Sequence, residues 1–198
     1  MSRLLENVVG ELSKLPGVGR RTALRLALHL LRQDVEDVDL FAGAVYQFRR
    51  DIRWCRQCRN LSDEELCPVC QDQKRDKTTI CVVEQVGDLL SIENTRQYNG
   101  LYHVLGGVIS PIQGISPSDL HVELLLENIE RLGVKEVILA LSTTIEGETT
   151  SYYLTKKLQQ CGHPVTVSVI SRGIGFGDEL EYTDELTITH ALRNRQAL

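Results

Sequence analysis

CRQCRNLSDEELCPVC, residues 55–70, separates an all-helical front from a rear part in which short apolar runs alternate with helical stretches. Cys55 and Cys58 form one C-x2-C pair, Cys67 and Cys70 a second, with eight residues between them. Each close pair can place two thiolates on one edge of a metal, and two such edges complete a tetrahedron. All-sulfur ligation leaves no open position for water, so the spacing predicts one structural Zn2+ and not a catalytic ion. The interval is too short and too hydrophilic to bury a core by itself. Zinc binding contributes roughly 10–16 kcal/mol of apparent free energy to segments of this type, enough to order it.

Towards the N-terminus, Leu4, Leu5, Val8, Val9 and Leu12 recur at helical spacing, as do Ala23, Leu24, Ala27, Leu28 and Leu31. LPGVG at 15–19 interrupts them, which reads as helix, tight turn, helix. A third helix is expected from about Val38 to Trp54, with Leu40, Val45, Phe48 and Ile52 on its apolar side. Gly17 and Gly19 permit the backbone conformations of a tight reversal, and such a turn exposes unpaired N–H groups. With a helix starting near Arg20, those amides and the helix's positive end suit a phosphate oxygen. Arg21 and Arg25 lie one helical turn apart and project from one face. Leu12, Leu15, Pro16, Gly17, Val18, Gly19, Ala23 and Leu26 together match the helix-hairpin-helix motif, which implies backbone contact with DNA that does not read sequence. Gly17, Gly19, Arg20, Arg21 and Arg25 are the candidate contacts. A second basic run, Arg49, Arg50, Arg53, Arg56 and Arg59, either extends this phosphate track or is a solvated face paired with Asp63, Glu64 and Glu65.

Towards the C-terminus the pattern changes to the short apolar runs ICVV, YHVL, EVILAL and VTVSVI, separated by helical stretches around 85–95, 119–132 and 148–161. Strands alternating with helices predict a parallel sheet covered on both faces. Glu84 directly follows ICVV, and Glu146-Gly147-Glu148 follows EVILAL. Both groups belong at the carboxyl edge of the sheet, where such folds place their sites. Carboxylates converging there can hold Mg2+ or dock a basic partner; they can also be solvated loop acids. The arrangement resembles the Toprim domain of topoisomerases, DnaG-type primases and some nucleases. It departs from that pattern in carrying Glu-x-Glu where the domain has an Asp-x-Asp pair, and the longer side chains would reposition a metal. Cys81 and Cys161 carry no partner motif and read as small core residues.

Of 198 residues, 42% are hydrophobic and 25% charged, ordinary globular proportions that exclude disordered and fibrous classes. No stretch approaches the roughly 18 apolar residues of a membrane span, and MSRLLENVVGEL lacks a signal peptide's apolar centre, so the expected location is the cytoplasm. A reducing compartment favours metal ligands over disulfides for the six cysteines. The formal net charge of -5 hides an asymmetry. Leu12 to Gln33 holds five bases and no acid, whereas Asp178 to Glu185 holds five acids and no base.

Helix-hairpin-helix, four-cysteine site and Toprim-like sheet, in this order, resemble the RecR family of bacterial recombination-repair proteins over essentially the whole chain. The matching stretches include LPGVGRRTALRLALHLL at 15–31, ICVVEQVGDL at 80–89 and TTIEGETTSYYL at 143–154. The resemblance implies an α+β, multi-module chain: a helix-hairpin-helix DNA-binding region at 1–54, a C4-type zinc finger at 55–70, and a Toprim-like α/β domain with a mainly parallel sheet at 78–173. A C-terminal oligomerisation segment would follow at 174–198. It further implies a non-enzymatic DNA-repair mediator that acts with RecO and RecF to load RecA at gapped DNA, and a homotetrameric ring able to encircle DNA. The family's basic pair then falls on Arg21 and Arg25, and the acidic surface that meets RecO includes Glu146. The competing expectation is a Mg2+-dependent nuclease or primase-like enzyme using Glu84, Glu146 and Glu148. Gly173, Gly175 and Gly177 are not followed by the lysine and Ser/Thr of a P-loop, so a loop and oligomer contact is expected there in preference to a nucleotide site.

Overall fold

The computed structural model describes residues 2–171, 173–175, 177–193 and 195. Parts of the expected oligomerisation segment, residues 176, 194 and 196–198, lie outside the described residues. The chain divides into two compact units, Met1–Ile52 and Arg53–Leu198.

In the first unit, α1 (Arg3–Leu12) and α2 (Arg20–Leu30) pack on each other through Val9, Ala23 and Ala27, with Leu5, Leu12, Val18 and Leu24 around them. Small residues on α2 let the helices approach closely while the arginines stay on its outer side. The third helix, α3, runs Val35–Asp51. It starts and ends three residues earlier than its periodicity suggests. Ile52 leaves the helix in an extended conformation (ψ 137°), and Arg53–Trp54 becomes strand β1 of the second unit, pairing antiparallel with β2 (Leu61–Ser62). Cross-strand hydrogen bonding, including Cys55 N to Asn60 O at 2.7 Å, outweighs helical continuation there.

The rest of the second unit is a four-stranded parallel sheet of β3 (Asp76–Val83), β4 (Gly100–Val104), β5 (Glu136–Ala140) and β6 (Thr166–Val169), in the order β4-β3-β5-β6. The short α4 (Pro68–Gln71) precedes it. Crossovers α5 (Val86–Asn94), α6 (Val122–Leu132) and α7 (Ile145–Gln160) join successive strands, and α8 (Glu185–Arg193) follows. The period-two alternation of a strand distributes ICVV between the two faces. Ile80 and Val82 join Leu125, Ile129, Leu154 and Leu158 of α6 and α7, whereas Cys81 and Val83 join Leu89 of α5 and Tyr102. Cys81 is thus a core thiol, and burial pushes its titration up to about 12. Tyr153 packs against the core, but Tyr152 is exposed, with Lys156 over its ring. No helix among the described residues is long and apolar enough to cross a membrane.

Candidate metal centre and nucleic-acid interface

Cys55, Cys58, Cys67 and Cys70 are all buried, and their Sγ atoms lie within 4.8 Å of one another. A Zn–S distance of about 2.3 Å gives a tetrahedral edge of about 3.8 Å, so the donors fit a four-coordinate ion. Cys58 and Cys67 Sγ lie 3.5 Å apart, and Cys67 N–H donates to Cys55 Sγ at 3.3 Å, orienting that sulfur. Hydrogen bonding from Cys58, then from Cys67 and Cys70, holds the Cys55 thiol well below the ordinary range, while Cys55 and the same neighbours keep Cys58 protonated far above it. Four sulfurs this close cannot all ionise alone; a divalent cation displaces the remaining protons.

The cysteine hairpin is fastened to the sheet. β4 is an edge strand, and the hairpin covers its free side: Cys58 O accepts from Val104 N at 2.9 Å. Asn128 Nδ2 donates to Gln57 O at 2.6 Å, and Arg131 to Gln57 Oε1 at 3.0 Å. Arg59 adopts a left-handed backbone (φ 63°), its N–H closing on Cys55 O at 3.0 Å, and its Nε donates to His121 Nε2 at 3.3 Å. Burial and then the Arg59 cation lower the His121 titration, which keeps the accepting ring neutral.

In the first unit, Val18 N–H closes on Leu15 O at 3.0 Å, with Pro16 and the left-handed Gly17 (φ 76°) between them, the residue pattern of a type II turn. Gly19 is the N-cap of α2 and offers no side chain to its first-turn amides. Those donors remain available to an anion, reinforced by the helix dipole. Arg20, Arg21 and Arg25 are exposed beside them, and their side chains make no hydrogen bond or ion pair among the described residues. In the second basic run, Arg50 pairs with Asp51 and Arg56 with Glu65, both at 2.7 Å, so part of that run is internally neutralised.

At the carboxyl edge of the sheet a cavity of about 750 Å3 opens where the chain departs to opposite sides of β3, the switch point of an open parallel sheet. Glu84, Asp88, Ser142, Glu148, Asp184 and His190 are among its lining residues; Glu146 is not. Glu84 Oε1 already accepts the Ser142 amide at 2.5 Å. Gly147 is buried against that same loop, where a Cβ would lie 2.2 Å from Ser142 O. Glu146 and Glu148 stand two residues apart on α7, so helical geometry sends their side chains to different sides. Among the described residues the four cysteines are the one group of three or more His, Cys, Asp or Glu side chains drawn close enough to share an ion. In the glycine-rich tail, Gly175 N–H is taken by Asp178 Oδ2 at 3.1 Å.

Four family models match in succession: the RecR helix-hairpin-helix at residues 5–48, the RecR four-cysteine zinc finger domain at 52–72, the Toprim domain at 78–171 and the RecR C-terminal segment at 173–196. The curated protein named Recombination protein RecR of Bacteroides thetaiotaomicron is 54% identical, covering 98% of this chain and 94% of its own. The chain belongs to the RecR family. RecR of Phocaeicola vulgatus is 55% identical over the same shares, and RecR of Amoebophilus asiaticus 47%, covering 98% and 96%. Both the four-cysteine finger and the mainly parallel Toprim sheet of the family correspond to elements already described, and the clustered cysteines support zinc binding. Sequence reasoning does not single out Trp54 and His121, which face Arg59, as site residues. A lone tryptophan inside a basic run is the available signal for the first, whereas His121 is brought there only by the fold.

Proposed function

We propose that this RecR-family chain is a non-enzymatic adaptor of recombinational DNA repair in the cytoplasm. It holds DNA backbones through Gly17, Gly19, Arg20, Arg21 and Arg25, with one structural Zn2+ on Cys55, Cys58, Cys67 and Cys70. The observation that carries this reading is the glycine turn feeding an uncapped α2, with exposed arginines beside its free amides. Such contacts position a protein on nucleic acid without specifying bases. In this reading the chain works with RecO and RecF to load RecA at gapped DNA and closes into a tetrameric ring clamp, as the family resemblance implies. The segmental boundaries 1–54, 55–70, 78–173 and 174–198, the last for oligomerisation, belong to the same proposal. Glu84, Glu146 and Glu148 serve it as an acidic surface for a basic partner.

The reading is tested by the double variant Arg21→Glu/Arg25→Glu. Gel-shift affinity for duplex DNA should fall more than about tenfold, with wild-type zinc content, and wild-type binding should itself weaken steeply with salt. Retained binding by the variant would sink the assignment. The Mg2+-dependent nuclease or primase-like alternative has less support, because Glu84 is engaged by the Ser142 amide and Glu146 does not line the cavity that Glu84 and Glu148 share.

A further inference from the structure

Trp54 is the chain's single tryptophan, and it is 53% exposed. It sits on β1, opposite Leu61, at a fixed register. The Arg59 guanidinium lies 5.9 Å from its ring centroid. Both side chains border a hollow of about 290 Å3 whose other walls are Gln85, Val86, Val104, Gly106 and His121. The hollow is held from both sides. The cysteine knuckle sets the Arg59 backbone, and His121 holds Nε, while Nη1 and Nη2 make no hydrogen bond or ion pair among the described residues. An exposed indole beside a fixed guanidinium combines a π-face with positive charge.

We propose that Trp54 and Arg59 form a stacking site for an unpaired base of single-stranded DNA, with the free guanidinium nitrogens of Arg59 holding a flanking phosphate. Charge and shape select this occupant. A base within a duplex has its faces covered by its neighbours, whereas a single strand presents one to an aromatic ring, and base–aromatic stacking tolerates any sequence. The hollow is at the small end of ligand sites, which suits one base better than a larger molecule. The site is separate from the α2 hairpin and does not require it. The two together distinguish the strands of gapped DNA: hairpin amides for backbone phosphate, Trp54 for the unpaired stretch.

Because Trp54 is the only indole, its fluorescence reports the site directly. Titrating the full-length, zinc-loaded protein with oligothymidylate of about eight nucleotides, within the range of single-strand site sizes, should give saturable quenching. A duplex of equal length should give little. By anisotropy of the labelled oligothymidylate, Trp54→Ala should lose roughly 5-fold to 150-fold in affinity, the range for one stacked base, while Trp54→Phe restores most of it. Zinc content should be unchanged in both. Arg21→Glu/Arg25→Glu should retain the quenching, so failure of the hairpin reading and failure of this one are separable. Absence of quenching, or equal affinity of Trp54→Ala and wild type, overturns the proposal. So does emission that shifts only with protein dilution, which would assign Trp54 to a contact between copies of the chain.

Discussion

At Gly17 the backbone has φ 76°, and an added Cβ would meet nothing within 4 Å; at Gly147 the backbone is helical, and a Cβ would lie 2.2 Å from Ser142 O. The first position restricts conformation and the second restricts space. Alanine at 17 should therefore cost about 1–2 kcal/mol, the penalty of a left-handed L-residue, in the stability of the first unit. Alanine at 147 must push the start of α7 away from the loop, at about 1–3 kcal/mol in the second unit. It would also loosen the Thr144 cap, whose Oγ1 accepts from Gly147 N at 3.2 Å. Urea unfolding of the two variants, followed separately for each unit, checks this division. Equal effects of both substitutions on one unit would contradict it.

Among elements, the cysteine hairpin shows what is legible in the sequence and what is not. The double C-x2-C spacing exposes the metal cage because ligand spacing is local, and ICVV exposes a buried strand because its alternation is local. Its fastening to the sheet is invisible: Cys58 O to Val104 N and Gln57 O to Asn128 Nδ2 join residues far apart, with no periodicity to announce them. The β1 strand is hidden for a related reason, since Arg53 and Trp54 continue a helical pattern and only pairing with Leu61 and Ser62 overrides it. Likewise Glu84 and Glu148 share a cavity that excludes Glu146, a distinction that arises because the Glu-x-Glu stretch is helix, where residues two apart do not share a face. Since the cage orders a hairpin with little core of its own, Cys67→Ser or chelation should unfold the hairpin and uncover β4 first. Duplex binding should decline only as that unfolding spreads. A stable, zinc-free protein that had selectively lost duplex binding would place DNA contact on the hairpin and reverse this order.

For the whole molecule, the informative element is one that buries nothing. The 17-residue α3 has no buried residue, and Phe41, Val45 and Phe48, spaced i, i+4, i+7 along one face, are each more than half exposed. An apolar stripe of this kind marks an interaction surface. The distribution of charge along it suits antiparallel self-association, because α3 carries acids in its first turn and bases in its last. The proposed ring needs several copies, so α3 is the first candidate for one of its contacts. Light scattering on a 22.3 kDa chain should then report a mass of four copies, and Phe41→Gln/Phe48→Gln should reduce it to a smaller assembly. The second unit should keep its zinc content and stability, because none of its residues is altered. An unchanged mass in the variant would remove α3 from the assembly, and a monomeric wild type on gapped DNA would remove the ring itself.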